Sequence, residues 1–358
     1  MISLKHHNRY MKRIVLLCLL ILATCLVGCG KKEKSKEEAN YTGTLVFAYG
    51  DNYVTKGEVY IYLNTLAERY EKQYGEYVWD TTITKEGHEE PITMEEAVRE
   101  ETVAEIVRVK TLVAQAESFK VFLTEADEVA LEEQAKEFYD GLTDADISKM
   151  ELSEDIVYKV LCENEIANRV EDRLLLDNPV EVSDEEARMT TFYDMYFSCY
   201  TMDENGLITP FTEEEKKVQY ENALSACSTL ATANIDEDRE AENIANLAEY
   251  YKLEEAGEYT ISPQDILDTY GQDIYDLLYS MKPGDYSGVM ETEYGYHVFQ
   301  MIALTDQKAT QARKEIMTDE AINEQLSSSL SAWKKKIDSE FSYPESVDMN
   351  VYNSITIN

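Results

Sequence analysis

The chain has 358 residues with 33 Lys+Arg against 71 Asp+Glu, a formal net charge of −38 at pH 7. So acidic a chain repels phosphate backbones and anionic headgroups, which excludes nucleic acid and anionic lipid as electrostatic partners. Its cysteines and histidines show no CxxC or metal-ligand spacing, and it has no GxSxG elbow or Gly-rich phosphate loop, so no metal and no cofactor is expected.

Lys12-Arg13 precede the apolar run Ile14 to Leu22, too short to span a bilayer comfortably, and Leu26-Val27-Gly28-Cys29 follow. A basic region, an apolar region and a small residue before cysteine resemble the lipobox of bacterial lipoproteins. That resemblance implies a signal peptide over 1–28, cut before a lipidated Cys29, with Met11 as a second candidate start. Residues 29–42 read as the lipidated cysteine and a flexible linker, with no apolar periodicity. Loss of 1–28 removes four basic residues and no acidic one, so the remainder is more acidic still. Cys162, Cys199 and Cys227 remain: an odd number, read as buried structural thiols, with one disulfide outside the cytoplasm left open.

Gly43 to Tyr49 is a short strand. Thr55-Lys-Gly-Glu58 has capping-box spacing, and Val59, Leu63, Leu66 and Tyr70 then share a helical face before Gly75. Thr93-Met-Glu-Glu96 opens a long helix carrying Ala97, Val98, Ile106, Val109, Val113 and Ala116. Thr124 and Ser153 are N-caps of helices reaching about Phe138 and Leu176. A mainly helical domain is thus expected over 43–182.

Character then changes. Ser183-Asp-Glu-Glu186 caps a short helix, Thr191 to Tyr200 is β-like, and Asn205-Gly206 signals a hairpin turn. Thr212-Glu-Glu-Glu215 starts a helix to about Ala231, and Glu240 to Tyr251 makes another. Gly257 to Ile261 is strand-like and Gln264 to Ser280 helical. Pro283-Gly284 reads as a tight turn and Gly295 as a break, before the strand Tyr296 to Leu304. Beyond it, Ile322, Leu326, Leu330, Trp333 and Ile337 form one apolar helical stripe that needs a partner surface, and Val351 to Ile357 alternates like an edge strand.

The segment Met281-Lys-Pro-Gly-Asp-Tyr-Ser-Gly-Val-Met-Glu-Thr-Glu-Tyr-Gly-Tyr-His297, with its apolar strand, resembles the end of a parvulin-type peptidyl-prolyl isomerase domain. The β-α-α-β-α-β order over 183–305 agrees with that fold. With the lipobox, the helical N-terminal part and the C-terminal helix, the chain resembles the PrsA foldases and, more distantly, the chaperone SurA. The resemblance implies an α+β protein: a helical chaperone domain built from 43–182 and 306–358 together, with an inserted parvulin-like domain over 183–305. It implies a lipid-anchored foldase on the extracytoplasmic face of a bacterial membrane, acting on unfolded or newly secreted polypeptides, and it is compatible with a homodimer.

Peptide-bond rotation crosses a barrier of about 18–20 kcal/mol and needs neither nucleophile nor metal. It needs an apolar grip on the proline ring and electrostatic stabilisation of the twisted amide. The parvulin resemblance implies two neighbouring histidines, a nearby Asp or Cys, and a pocket of Met or Leu with Phe. His297 fits the second histidine. The strand that should hold the first has none, and Tyr196 (or Tyr193) stands nearest its place. Tyr270, Ile274, Met281 and Phe299 fall at the substrate pocket, with Glu254 the nearest candidate acid. The paired-imidazole network is therefore absent, which leaves a non-catalytic chaperone as the alternative reading. A solute-binding lipoprotein fits less well, since the first part of the chain is nearly strand-free and only 14 glycines occur.

Overall fold

A computed structural model describes residues 41–203, 206–233 and 240–357. Cys29, the expected signal segment over 1–28 and Asn205 lie outside the described residues. The chain divides into two compact units: the chain up to Pro179 together with Asn323 onward, and Val180 to Ile322.

The first unit is mainly helical. A hairpin of β1 (Leu45–Tyr49) and β2 (Asn52–Thr55) leads into α1 (Lys56–Tyr74), which stops where Gly75 adopts φ +83°. Two short strands, β3 (Thr82–Ile83) and β4 (Ile92–Thr93), precede α2 (Met94–Val113). Thr93 and Glu96 form the expected reciprocal capping box, as do Thr124 and Asp127 ahead of α4 (Glu125–Asp140). Between these lies the single turn α3 (Ala116–Phe119); α5 (Asp144–Met150) and α6 (Glu154–Asp177), capped by Ser153, complete the series.

Thr55 caps α1 without a side-chain bond, contrary to the capping-box reading. The reason lies inside the unit, where Glu58 is turned inward. Its carboxylate lies 2.5 Å from Lys110 and 2.9 Å from Lys159, and Lys110 also lies 2.5 Å from Glu163. A buried charge survives only with such partners. Burial pushes the Glu163 carboxyl up, whereas the two lysines hold Glu58 below the usual carboxylate range against its own burial.

The core joins Phe47 and Tyr49 of the hairpin, Val59 and Leu63 of α1, Val98 and Ile106 of α2, and Val157 and Val160 of α6. Leu330, Trp333 and Ile337, in the last turns of α11 (Gln307–Ile337), pack on this core, with Trp333 edge-on to Phe119 at 5.8 Å. No strand forms at 351–357: Val351 and Tyr352 end a one-turn helix, α12 (Met349–Tyr352), capped by Asp348, and turn and irregular chain follow. The Arg99 guanidinium explains the difference by donating to the carbonyls of Tyr352 and Ile355, while the Tyr352 hydroxyl donates back to the Arg99 carbonyl. With these backbone groups engaged by Arg99, no sheet ladder forms there.

The second unit is α+β. Its four-stranded antiparallel sheet has the order β8 (Gly257–Ile261), β5 (Thr190–Ser198), β10 (Gly295–Ala303), β9 (Met290–Thr292). Strand alternation separates two faces. Met195, Phe197 and Val298 pack against α7 (Glu213–Ala233) and α8 (Glu240–Tyr250). Phe192, Phe299 and Met301 pack against α9 (Pro263–Tyr270) and α10 (Gln272–Ser280). The single helix expected over 264–280 is broken because Gly271 takes φ +81° between them. Ser183 and Glu186 bond reciprocally as a cap does, but only a turn follows. A small hairpin, β6 (Tyr200–Met202) with β7 (Ile208–Pro210), carries Gly206 at φ +80°.

Candidate functional site

The second face of the sheet carries the polar cluster. On β5 the residues of that face are Phe192, Asp194 and Tyr196; on β10 they are Gly295, His297, Phe299 and Met301. In the antiparallel register His297 stands opposite Tyr196, and Phe299 opposite Asp194. The register therefore brings an imidazole, a carboxylate and a phenol into one patch of sheet.

His297 is 6 % exposed and both ring nitrogens are engaged. Nδ1 lies 3.0 Å from each Asp194 oxygen, and Nε2 lies 3.1 Å from the Thr292 hydroxyl on β9. An ionised carboxylate only accepts, so Nδ1 carries the hydrogen. Thr292 Oγ1 also lies 3.2 Å from the Gly295 carbonyl. A hydroxyl has a single hydrogen: Thr292 either donates it to a neutral Nε2, or donates to Gly295 and accepts from an imidazolium. Asp194 accepts a second bond from the Tyr270 hydroxyl at 3.2 Å. Burial together with the Asp194 charge pushes the Tyr270 phenol far up, so it stays a donor.

The rings enclose this network. Tyr196 stacks on His297 at 4.5 Å and 17°, and Phe299 lies nearly parallel to the imidazole at 5.5 Å. Tyr270 meets both His297 and Phe299 edge-on at 5.6 Å. The Tyr196 hydroxyl, whose pKa burial raises strongly, donates to the Tyr294 carbonyl. Where the sequence suggests Tyr196 in the position of a hydrogen-bonding imidazole, its ring covers His297 and its hydroxyl turns elsewhere; Asp194 makes the bond.

Gly295 explains how Tyr196 lies so close. A Cβ there would sit 2.3 Å from the Phe197 carbonyl oxygen and 2.8 Å from the Tyr196 ring. The glycine of the Gly-Tyr-His run is thus required by close approach of the neighbouring strand.

Ile274, Met281 and Phe299 share one apolar cluster with Phe192, Ile266 and Leu278, against which the half-buried Tyr270 packs. Ile274 and Phe299 are buried within it. Met281 also borders a cavity of about 400 Å³ lined by Cys227, Ser280, Asp285, Tyr286 and Ser287. Glu254 has no part in the contacts made by His297. Asp194 escapes the sequence reading, though a signal exists: a lone carboxylate at an inward position of an apolar strand requires a partner. Cys162, Cys199 and Cys227 form no disulfide with one another. Among the described residues no three His, Cys, Asp or Glu converge as metal ligands, and no helix is long and apolar enough to cross a membrane.

No family model matches the chain. The foldase protein PrsA of Clostridium perfringens is 24 % identical over 346 residues, 91 % of this chain and 94 % of that protein. The foldase protein PrsA of Clostridium acetobutylicum is 22 % identical over 295 residues, covering 78 % and 80 %. Among solved structures, PrsA from Bacillus subtilis is 13 % identical across 78 % of this chain and all of that one, with a TM-score of 0.21. The foldase protein PrsA from Streptococcus pneumoniae is 11 % identical across 76 % and 98 %, with a TM-score of 0.23.

Proposed function

We propose that this chain, a distant homologue of the PrsA foldases over most of its length, is itself an extracytoplasmic foldase. It is held to the membrane through a lipid on Cys29 and acts on unfolded or newly secreted polypeptides. Its second unit is a divergent parvulin-type peptidyl-prolyl isomerase domain, and its first unit a chaperone domain completed by the C-terminal segment.

The observation that carries the isomerase reading is the convergence of His297, Asp194 and Thr292 beside Tyr270 and Phe299, whose apolar cluster includes Ile274 and Met281. Rotation about the X-Pro bond requires the amide nitrogen to lose conjugation. A donor at that nitrogen and an apolar seat for the ring lower the barrier. In this site Asp194 holds the hydrogen on Nδ1, Thr292 orients Nε2, and the side chains of α9 and α10 supply the apolar surface. Entry of a proline ring requires Tyr270 to swing away from its edge contacts with His297 and Phe299.

The burial of His297 favours a second reading, in which the domain keeps the fold and has lost catalysis. An isomerisation assay on a proline-containing peptide separates the two. If the isomerase reading holds, the full chain accelerates the cis-to-trans step and His297→Ala abolishes the gain. Rates at background for both would leave the foldase as a binding protein only. Failure of the full chain to suppress aggregation of an unfolded client would overturn the foldase reading itself.

A further inference from the structure

We propose that one face of the β6–β7 hairpin is an extended subsite of the sheet unit's proline site. It takes apolar side chains at alternate positions of the same polypeptide whose proline reaches the His297 cluster. This rests on the isomerase reading and deepens it by naming residues that choose among substrates.

The hairpin register sets Tyr200 opposite Pro210 and Met202 opposite Ile208, with Thr201 opposite Thr209 between them. Side chains two apart on a strand share a face, so Tyr200, Met202, Ile208 and Pro210 form one apolar ladder and the threonines lie behind it. Met202 is 62 % exposed, Ile208 46 %, and Pro210 is exposed as well. These three join neither apolar cluster of the unit. Leaving such groups in water forgoes the free energy of burial, and a contiguous apolar patch marks a binding surface. No rung of the ladder carries a charge, in a chain of net charge −38, so the face suits a neutral, apolar occupant.

Continuity with the proline site names that occupant. The chain bends at Cys199 between β5 and β6, and Tyr294 spans the bend. The Tyr294 carbonyl accepts from the Tyr196 hydroxyl at 2.9 Å and from the Cys199 N–H at 2.8 Å. Its ring, 51 % exposed, meets Tyr200 edge-on at 6.0 Å. Tyr200 also lies near enough to Tyr196 to add to the upward push that burial gives its phenol. Tyr196 in turn stacks on His297. A row of side chains thus leads from His297 through Tyr196, Tyr294 and Tyr200 to Met202 and Ile208. With a strand rise of about 3.3 Å per residue, Tyr200 and Met202 stand up to about 13 and about 20 Å along the chain from Tyr196. An extended polypeptide seated by its proline reaches them about four and about six residues away.

The test uses the full chain and two fluorescein-labelled peptides with a central proline. One carries leucine at the fourth and sixth positions on either side of the proline; the other carries serine there. Exchange NMR gives the isomerisation rates and fluorescence anisotropy the affinities. The leucine peptide is expected to be preferred by about fivefold or more in kcat/KM and in affinity, as burial of one or two apolar side chains implies. Met202→Ser with Ile208→Ser should bring that ratio near one, whereas Thr201→Ser with Thr209→Ser, behind the ladder, should keep it. Thermal melting of each variant checks folding. A wild-type ratio near one, with isomerisation above background, overturns the hairpin assignment alone. A ratio unchanged in the Met202–Ile208 double variant also overturns it, and dissociation of a dimer in that variant, seen by sedimentation velocity, would then assign the face to contact between two copies. If neither peptide isomerises above background but the leucine peptide is held more tightly through Met202 and Ile208, the isomerase reading fails and the hairpin assignment stands. With neither isomerisation nor preference, both fail.

Discussion

Replacing Gly295 by alanine is the sharpest perturbation of the sheet unit. The new methyl carbon would lie 2.3 Å from the Phe197 carbonyl oxygen and 2.8 Å from Tyr196 Cε2. A side chain could yield; the carbonyl belongs to the neighbouring strand of the same ladder and cannot move without shifting the β5–β10 register. Overpacking of this kind costs about 1–3 kcal/mol or more. Displacing Tyr196 also forfeits its stack on His297, about 0.5–1.5 kcal/mol, and its bond to the Tyr294 carbonyl, about 1 kcal/mol. We expect a total near 3–5 kcal/mol, which for a domain of this size lowers the melting temperature by roughly 10 °C or more. The assay follows the two units separately. Both tryptophans, Trp79 and Trp333, lie in the first unit, so their fluorescence reports on that unit, whereas near-ultraviolet tyrosine dichroism includes the sheet. Gly295→Ala should bring the tyrosine transition down ahead of the tryptophan one. A variant within about 0.5 kcal/mol of wild type would refute the close-approach argument.

Three further outcomes are expected. Lys110→Met leaves the buried Glu58 and Glu163 carboxylates with only the half-exposed Lys159 between them and should destabilise the first unit by about 3–5 kcal/mol, read from tryptophan fluorescence in urea; a loss under 1 kcal/mol would contradict the pairing. The Arg169 bonds hold the Asp127 carboxyl far below its usual range, and the Thr93 bonds hold Glu96 low, so each stabilises the fold above its unfolded-state value and ceases to do so as pH falls through the depressed folded value. The urea midpoint should therefore drop below about pH 4, and Asp127→Asn should flatten that slope. Asp194→Asn removes the charge that fixes the hydrogen on His297 Nδ1, and nitrogen-15 NMR should show mixed imidazole tautomers in place of one.

Local signals carry much of the fold. Thr93, Thr124 and Ser153 start helices because each side chain accepts a backbone N–H three residues on, a chemistry contained in four residues. The run after Gly295 is a strand because its β-branched and aromatic residues fit a half-buried pleat. Where the reading and the structure part, a distant residue has intervened. Glu58 has the spacing of a capping acid but meets Lys110 and Lys159. Residues 351–357 alternate like a strand but are gathered by Arg99. Asp194 is visible as a charge inside an apolar strand, yet its partner lies 103 positions away, beyond any local pattern.

The same long-range pairing governs what the sheet unit can do. Each polar atom around His297 has a partner within the cluster: Asp194 takes Nδ1 and the Tyr270 hydroxyl, Thr292 takes Nε2, and Tyr294 takes the hydroxyl of Tyr196. An isomerase that works on a passing proline needs a donor with unused capacity in the ground state, or a ring that moves to expose one. Of the rings here, Tyr196 is pinned beneath its own hydrogen bond and Phe299 is buried, whereas Tyr270 is half-buried and held at its tip by one bond of 3.2 Å. Tyr270→Phe deletes that bond and keeps the ring, so it should increase isomerisation if Tyr270 is the gate, since opening no longer costs the bond to Asp194. Tyr270→Ala should lower affinity for the proline ring if the same side chain also forms the seat. An unchanged rate in both variants would mean that the His297 cluster serves the sheet's cohesion and that polypeptides are bound elsewhere in the chain.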